Sequence, residues 1–229
     1  MSSISNKAIV LAAFKHLIGE RNTDVIDTYL HDHYRQHSPM VKDGKAGLLE
    51  ALAYLKQQPL PAERKSPVVR TLADGDFVML HMDVAFMGKS VAVVDLYRLE
   101  EGKLAEHWDA TEAQPEYTGT VTMTNGASEI TDLEYTATNK LLVEHFFRSP
   151  DNAFLAPDYL SHTPGASGLE HLPVQIHRVL GEGNFVLVQS TKEGSVYYDI
   201  CRLQDGLLAE HWRVTQVIPA TMPHRNGMI

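Results

Sequence analysis

Asp95, His107 and Asp109 together offer two carboxylates and an imidazole, the groups of acid/base chemistry. They lie in Val93–Asp109, Val-Val-Asp-Leu-Tyr-Arg-Leu-Glu-Glu-Gly-Lys-Leu-Ala-Glu-His-Trp-Asp, an alternating run, a turn at Gly102 and a second alternating run. That pattern reads as a β-hairpin. Side chains on a strand repeat every two residues, so Asp95 shares a face with Val93 and Tyr97, and His107 shares one with Asp109. A cavity lined by that face would offer a ligand two carboxylates and an imidazole. Burial disfavours the charged form of a carboxyl group, and a second carboxylate nearby pushes the same way, so Asp109 could act as a base near neutrality. Taking a proton from carbon next to a carbonyl also needs a donor for the enolate oxygen. His107, His37, Tyr34 or His81 could supply it, and Tyr97 is placed to touch a ligand on the same face.

The chain writes this stretch twice. Tyr197–Arg213 repeats it, keeping Asp199 and His211 but placing Arg213 where the first copy has Asp109. Further correspondences run along the sequence: Tyr34 to Pro39 with Tyr159 to Pro164, Asn6-Lys7 with Asn139-Lys140, and Arg70, Gly75, Phe77 and Val78 with Arg178, Gly183, Phe185 and Val186. Gln189 stands in the place of His81, and a short connection, Gly165 to Leu172, replaces a helix. A repeat of this length divides 229 residues into two domains. The expected boundaries are 1–120 for a complete first domain, 121–135 for a linker within a Thr-, Gly- and Asn-rich stretch, and 136–229 for a shortened, structural second domain.

The elements that must position these residues follow from periodicity. Ser5 can cap a helix with Ile9, Val10, Ala13, Phe14, Leu17 and Ile18 on one stripe. A short helix carries Val25, Ile26, Tyr29 and Leu30. A third follows Asp43-Gly44, with Leu48, Leu49, Leu52 and Leu55 inward, and Pro59 ends it. Pro39 holds the Tyr34 to Pro39 segment extended or in a turn. From Val68 the period becomes two, predicting strands over 68–73, 77–86, 91–99 and 104–112. Helices followed by a meandering antiparallel sheet make an α+β domain with helices over one sheet face. Trp108 and Trp212 point away from the His107 face and suit packing where two sheets meet.

The net charge of −9 and pI near 5.7 leave no basic stripe for nucleic acid, and the same balance disfavours an anionic membrane. No apolar run approaches the ~20 residues of a membrane span. The single cysteine, Cys201, excludes an intrachain disulfide and reads as a small buried residue. A cytoplasmic address is the expectation. His31-Asp32-His33 with His37 fits no usual metal-ligand spacing and reads as a solvated helix end. No phosphate loop or dinucleotide fingerprint occurs, so neither metal nor cofactor is expected.

Tyr34 to Pro39, Asp43-Gly44-Lys45-Ala46-Gly47-Leu48, Ala73-Asp74-Gly75-Asp76 and Val94 to Asp109, in that order, resemble the SnoaL-like proteins of the nuclear-transport-factor-2-like superfamily, which include polyketide cyclases. The resemblance implies two cone-shaped α+β barrels, each with a pocket at its wide end, paired through their sheets within the chain as a pseudo-dimer; the tandem unit could pair again. It also implies that Asp109 is the acid/base of an intramolecular aldol closure, with Asp95 at the place of a second pocket residue, usually His. The reading is a cofactor-independent aldol-type cyclase or isomerase acting on a small apolar carbonyl compound. The rival is a small-molecule-binding or scaffolding module without turnover. Epoxide hydrolysis, known on this fold with an Asp-Arg-Asp set, would need Arg70 as its middle member.

Overall fold

The computed structural model describes residues 5–59, 65–86, 88–116, 119–163 and 166–229. Pro164 and Gly165, which belong to the repeated segment and the short connection, lie outside the described residues.

In the first half, Ser5 accepts from the Ala8 amide and starts α1 (Asn6–Ala13). The helix widens over Phe14–Gly19, where Glu20 N–H donates to Lys15 O at 2.8 Å, five residues back. Then come α2 (Ile26–Tyr29), β1 (Leu30–Gln36), α3 (Gly44–Gln57), β2 (Val68–Asp74), β3 (Phe77–Phe86), β4 (Lys89–Glu100) and β5 (Lys103–Ala113). The second half runs α4 (Thr136–Arg148), β6 (Leu155–Ser161), β7 (Gln175–Glu182), β8 (Phe185–Lys192), β9 (Ser195–Gln204) and β10 (Leu207–Val217). Each half forms a five-stranded sheet, in the orders β1-β5-β4-β3-β2 and β6-β10-β9-β8-β7. This is the α+β class, in tandem.

Four antiparallel strands per half agree with the two-residue period. The first strand of each sheet was not expected. β1 pairs parallel with β5, and His31, Asp32 and His33 sit on it rather than at a helix end. Its own sequence, Leu-His-Asp-His-Tyr-Arg-Gln, has apolar side chains only at Leu30 and Tyr34, both buried. Its partner is some seventy residues away, so no local hairpin signal announces it. In α3, Leu52 is buried and Leu48 and Leu55 are partly so, but Leu49 turns outward. Four leucines so spaced cover more of the helix circumference than one cavity wall needs.

The two faces of the first sheet bury different things. Val78, Leu80, Met82 and Leu104 face α1 and α3. Leu72, Met79, Val94, Leu96, Trp108 and Ala110 face the second sheet, where Leu180, Leu187, Tyr198, Ile200, Trp212 and Val214 complete one shared core. Both tryptophans therefore lie where the sheets meet, as their parity predicts. Burying such a continuous apolar face holds the two sheets together.

Candidate active site

The hairpin register carries the site. Across β4 and β5, Asp95 stands opposite Asp109 and Tyr97 opposite His107, with Gln36 of β1 beside His107. These five side chains and Tyr34 form the polar end of a cavity of ≈ 330 Å³. Its remaining wall is apolar, with Phe14 and Leu17 from the first helix, Leu52 and Leu55 from α3, and Met82 and Val93 from the sheet. Such a hollow, apolar with a few converging polar groups, has the dimensions and lining of a small-ligand site.

Each polar group is held. Tyr97 OH donates to Asp95 Oδ2 at 2.9 Å, and the Tyr97 ring stacks on His107 with centroids 4.6 Å apart. His107 Nε2 lies 3.5 Å from Asp95 Oδ1. Gln36 Oε1 accepts from the His37 and Ser38 amides, both at 3.0 Å, which fixes it as the oxygen. His107 Nδ1 must therefore donate to it, at 2.9 Å, leaving Nε2 to face Asp95 and the cavity. Gln36 Nε2 donates in turn to Tyr34 OH at 3.1 Å. Ser38 Oγ donates to Asp109 Oδ2 at 2.9 Å, while Asp109 Oδ1 is buried with no hydrogen-bond partner.

These surroundings set the protonation states. Burial pushes the Asp109 carboxyl up to about 6, with Asp95 adding to the rise and His107 and the Ser38 hydroxyl opposing it. Burial alone would lower His107, but Asp95 and Asp109 outweigh it and hold the imidazolium above the ordinary histidine value. Burial, with the nearby carboxylates, keeps the Tyr34 and Tyr97 phenols protonated far above their ordinary value, so both remain donors.

Asp109, His107, Asp95, Tyr34 and Tyr97 thus converge as the sequence predicts. His81 and His37 do not. Leu80, not His81, pairs with Asp95, so His81 points to the other face of β3, fully buried within hydrogen-bond distance of Arg70 Nη1 at 3.1 Å. His37 lies past the end of β1 and stacks on Trp108 at 4.5 Å, on the side where the sheets meet. Arg70 is there too, its guanidinium 3.9 Å from the Trp212 ring centre and donating to the carbonyls of Thr124, Asn125 and Ala127. Arg70 therefore does not join Asp95 and Asp109 in an Asp-Arg-Asp set. Gln36 and Ser38 are the site residues that the sequence reading passed over, although both lie inside the repeated Tyr34 to Pro39 segment.

Donor atoms of Asp95, His107 and Asp109 lie within 4.8 Å of one another, as do those of His31, His33 and Glu100 on the outer surface. The first trio has the reach to meet at one cation.

The second half builds the same row differently. Asp199 is fully buried and accepts from His211 Nε2 at 2.7 Å and His171 Nε2 at 3.0 Å, with Arg213 Nε at 3.9 Å. His171 belongs to the short connection that replaces the third helix, and its ring stacks on Tyr197. Gly168, at φ +79°, lies so close to His211 that a Cβ there would stand 2.7 Å from Nδ1. The connection therefore lies against the residues that correspond to the first half's site. Burial would raise Asp199, but the two imidazoles hold it well below the usual carboxylate range.

Residues 10–107 match the family model described as the SnoaL-like domain, which ends two positions before Asp109. No curated protein matches the sequence. Among solved structures, the chain is similar to an NTF2-like protein of unknown function from Cytophaga hutchinsonii (21% identity, 48% of this chain and 93% of that one, TM-score 0.39). It is similar also to TsrD from Streptomyces laurentii (22%, 48% and 92%, TM-score 0.38). A SnoaL-like polyketide cyclase from Agrobacterium tumefaciens gives 17% identity over 48% of this chain and 93% of that one, with a TM-score of 0.38. Among the described residues, no helix is long and apolar enough to cross a membrane.

Proposed function

We propose that this chain, whose first half is a SnoaL-like domain, binds a small, mostly apolar carbonyl compound there and moves a proton on it with Asp109 as acid/base. The observation that carries this reading is Asp109 Oδ1, buried and unpartnered beside an apolar cavity, on a carboxyl group pushed up to about 6. Above that value Asp109 is ionised and can accept a proton. The C–H bond next to the carbonyl breaks, its electron pair moves to the carbonyl oxygen as an enolate, and the proton goes to Oδ1. Tyr34 OH and the His107 imidazolium are the donors within the same polar end. The enolate carbon then attacks a second carbonyl in an aldol-type closure, the new alkoxide taking the proton back from Asp109 Oδ1, or it takes that proton back at another carbon in an isomerisation. Among the described residues that line the cavity none is Lys or Arg and most are apolar, which supports a neutral rather than an anionic substrate.

The test is exchange of α-protons for deuterium in neutral bicyclic ketones dissolved in D₂O, followed by proton NMR. Wild type should exchange at least one ketone, faster as pH rises through about 6. Asp109→Asn should lose about 10²–10⁴-fold in rate while remaining folded. Treatment with EDTA should leave the rate unchanged; loss on chelation with recovery on adding Zn²⁺ would reassign the Asp95, His107 and Asp109 trio to a metal. Ketones that raise the thermal midpoint of wild type and Asp109→Asn alike, with no exchange, would establish a ligand-binding module instead.

A further inference from the structure

The segment after β10 crosses to the first half and ends against the residues that hold the site. His224 Nδ1 accepts from the Asn226 amide at 3.3 Å, so its other nitrogen carries the proton. That nitrogen, Nε2, donates to Ser38 O at 2.8 Å. Asn226 Nδ2 donates to Gln36 O at 2.8 Å, and His37 Nδ1 donates to Gly227 O at 3.0 Å. Met228 is buried in the core between the sheets and anchors the segment. Three successive residues, 36 to 38, are thus gripped from one side by the C-terminal segment. From residues 36 and 38 the side chains reach the other way, Gln36 Oε1 to His107 and Ser38 Oγ to Asp109.

The arrangement is part of the fold's repeat. The stretch after β5 crosses to the second half in the same manner, with His162 Nδ1 donating to Thr122 O at 3.0 Å and Trp212 Nε1 to Asn125 O at 2.7 Å. Both crossings contain Asn-Gly, Asn125-Gly126 and Asn226-Gly227, with each glycine at positive φ. His162 stacks on Trp212 as His37 stacks on Trp108.

We infer that His224 and Asn226 are positioning residues for the first-half site, which is therefore composed from both halves of the chain. The second half then has a duty besides covering the first sheet: its residues after β10 hold the backbone from which Gln36 accepts the His107 Nδ1–H and Ser38 orients the Asp109 carboxylate. This rests on Asp109 being the working group, but its test does not require turnover.

The experiment is an NMR titration of the Asp109 carboxyl carbon in the full chain, assigned with Asp109→Asn. It compares wild type with His224→Ala/Asn226→Ala and with the milder His224→Gln. Besides Ser38, the groups near Asp109 are Asp95, His107, Tyr34, Tyr97 and Tyr198, none of them altered, and His224, whose positive charge lowers Asp109. Asn226→Ala alone, which keeps His224, is therefore measured as well and should raise the midpoint in the same direction. With the backbone released, the Ser38 hydroxyl no longer holds the ionised carboxylate. The midpoint should then rise by about half a unit or more, a roughly threefold gain in proton affinity. His224→Gln, which keeps an N–H donor but loses the histidine charge, should shift the midpoint less than the double variant does. A double variant that titrates as wild type, or a His224→Gln that shifts as far as the double variant, would overturn the inference. If wild type exchanges no ketone, the catalytic reading fails while this titration still decides the positioning role.

Discussion

In the first half, Asp95 takes one phenol hydroxyl and stands 3.5 Å from His107, and the carboxylate across from it, Asp109, keeps one oxygen unpartnered. In the second half, Asp199 takes two imidazoles and has an arginine across from it. The same hairpin supports both. What differs is what covers it: a 14-residue helix that leaves a cavity, or a connection that inserts His171. The histidines follow suit. His107 gives Nδ1 to Gln36 and turns Nε2 inward; His211, beside Ser161 instead of Gln36, gives Nε2 to Asp199 and leaves Nδ1 unpartnered. A duplicated scaffold can thus hold a carboxylate ready in one copy and use its counterpart as a lock in the other.

The comparison is most easily broken at Asp199. Asn in its place accepts from one imidazole but turns an amide N–H toward the other. Asp199→Asn should therefore cost about 3–5 kcal/mol in urea unfolding, the loss expected when a buried ionic partner is removed. Because Asp199 is held below its unfolded value, its contribution is present above pH ~4 and disappears as pH falls further. A cost near zero would mean that the lock is absent.

Asp109 should behave oppositely. Its folded value lies above its unfolded one, so the folded state binds the extra proton between the ordinary carboxylate value of 3.8 and about 6. Stability supplied by protonated Asp109 is then lost as pH rises through that window, by about 3 kcal/mol at 1.36 kcal/mol per unit. Asp109→Asn should lack that loss and be more stable than wild type at pH 7. Equal pH slopes for the two proteins would contradict this.

The smallest of these effects sharpens the role of Tyr97. Tyr97→Phe removes one donor from Asp95 and should cost about 1 kcal/mol in stability. It should also lower the ketone exchange rate far less than Asp109→Asn does. A loss as deep as that of Asp109→Asn would move Tyr97 into the chemistry.

The turn at Glu101-Gly102 alone would set residue 95 across from 108, and a bulge between the Leu99–Leu104 and Arg98–Glu106 pairs moves it to 109. The two copies of the hairpin nevertheless align residue for residue, so much of this contrast is legible in the sequence. The exchange of Asp109 for Arg213 is visible for the same reason. The misplaced His81 shows where such reading needs more than alternation. A strand has two faces, and only the register through the turn before Lys89 says that Leu80, not His81, sits across from Asp95. β1 and the grip of the C-terminal segment on residues 36–38 depend on partners about 70 and 190 residues away, which leave no local period to read.

The most direct measurement is a paired titration of the Asp109 and Asp199 carboxyl carbons in the wild-type protein. The account predicts that Asp109 titrates with a midpoint near 6 while Asp199 is still ionised at pH ~4. Two carboxyls titrating together near pH 4 would show that the first half holds no readied base and the second no lock.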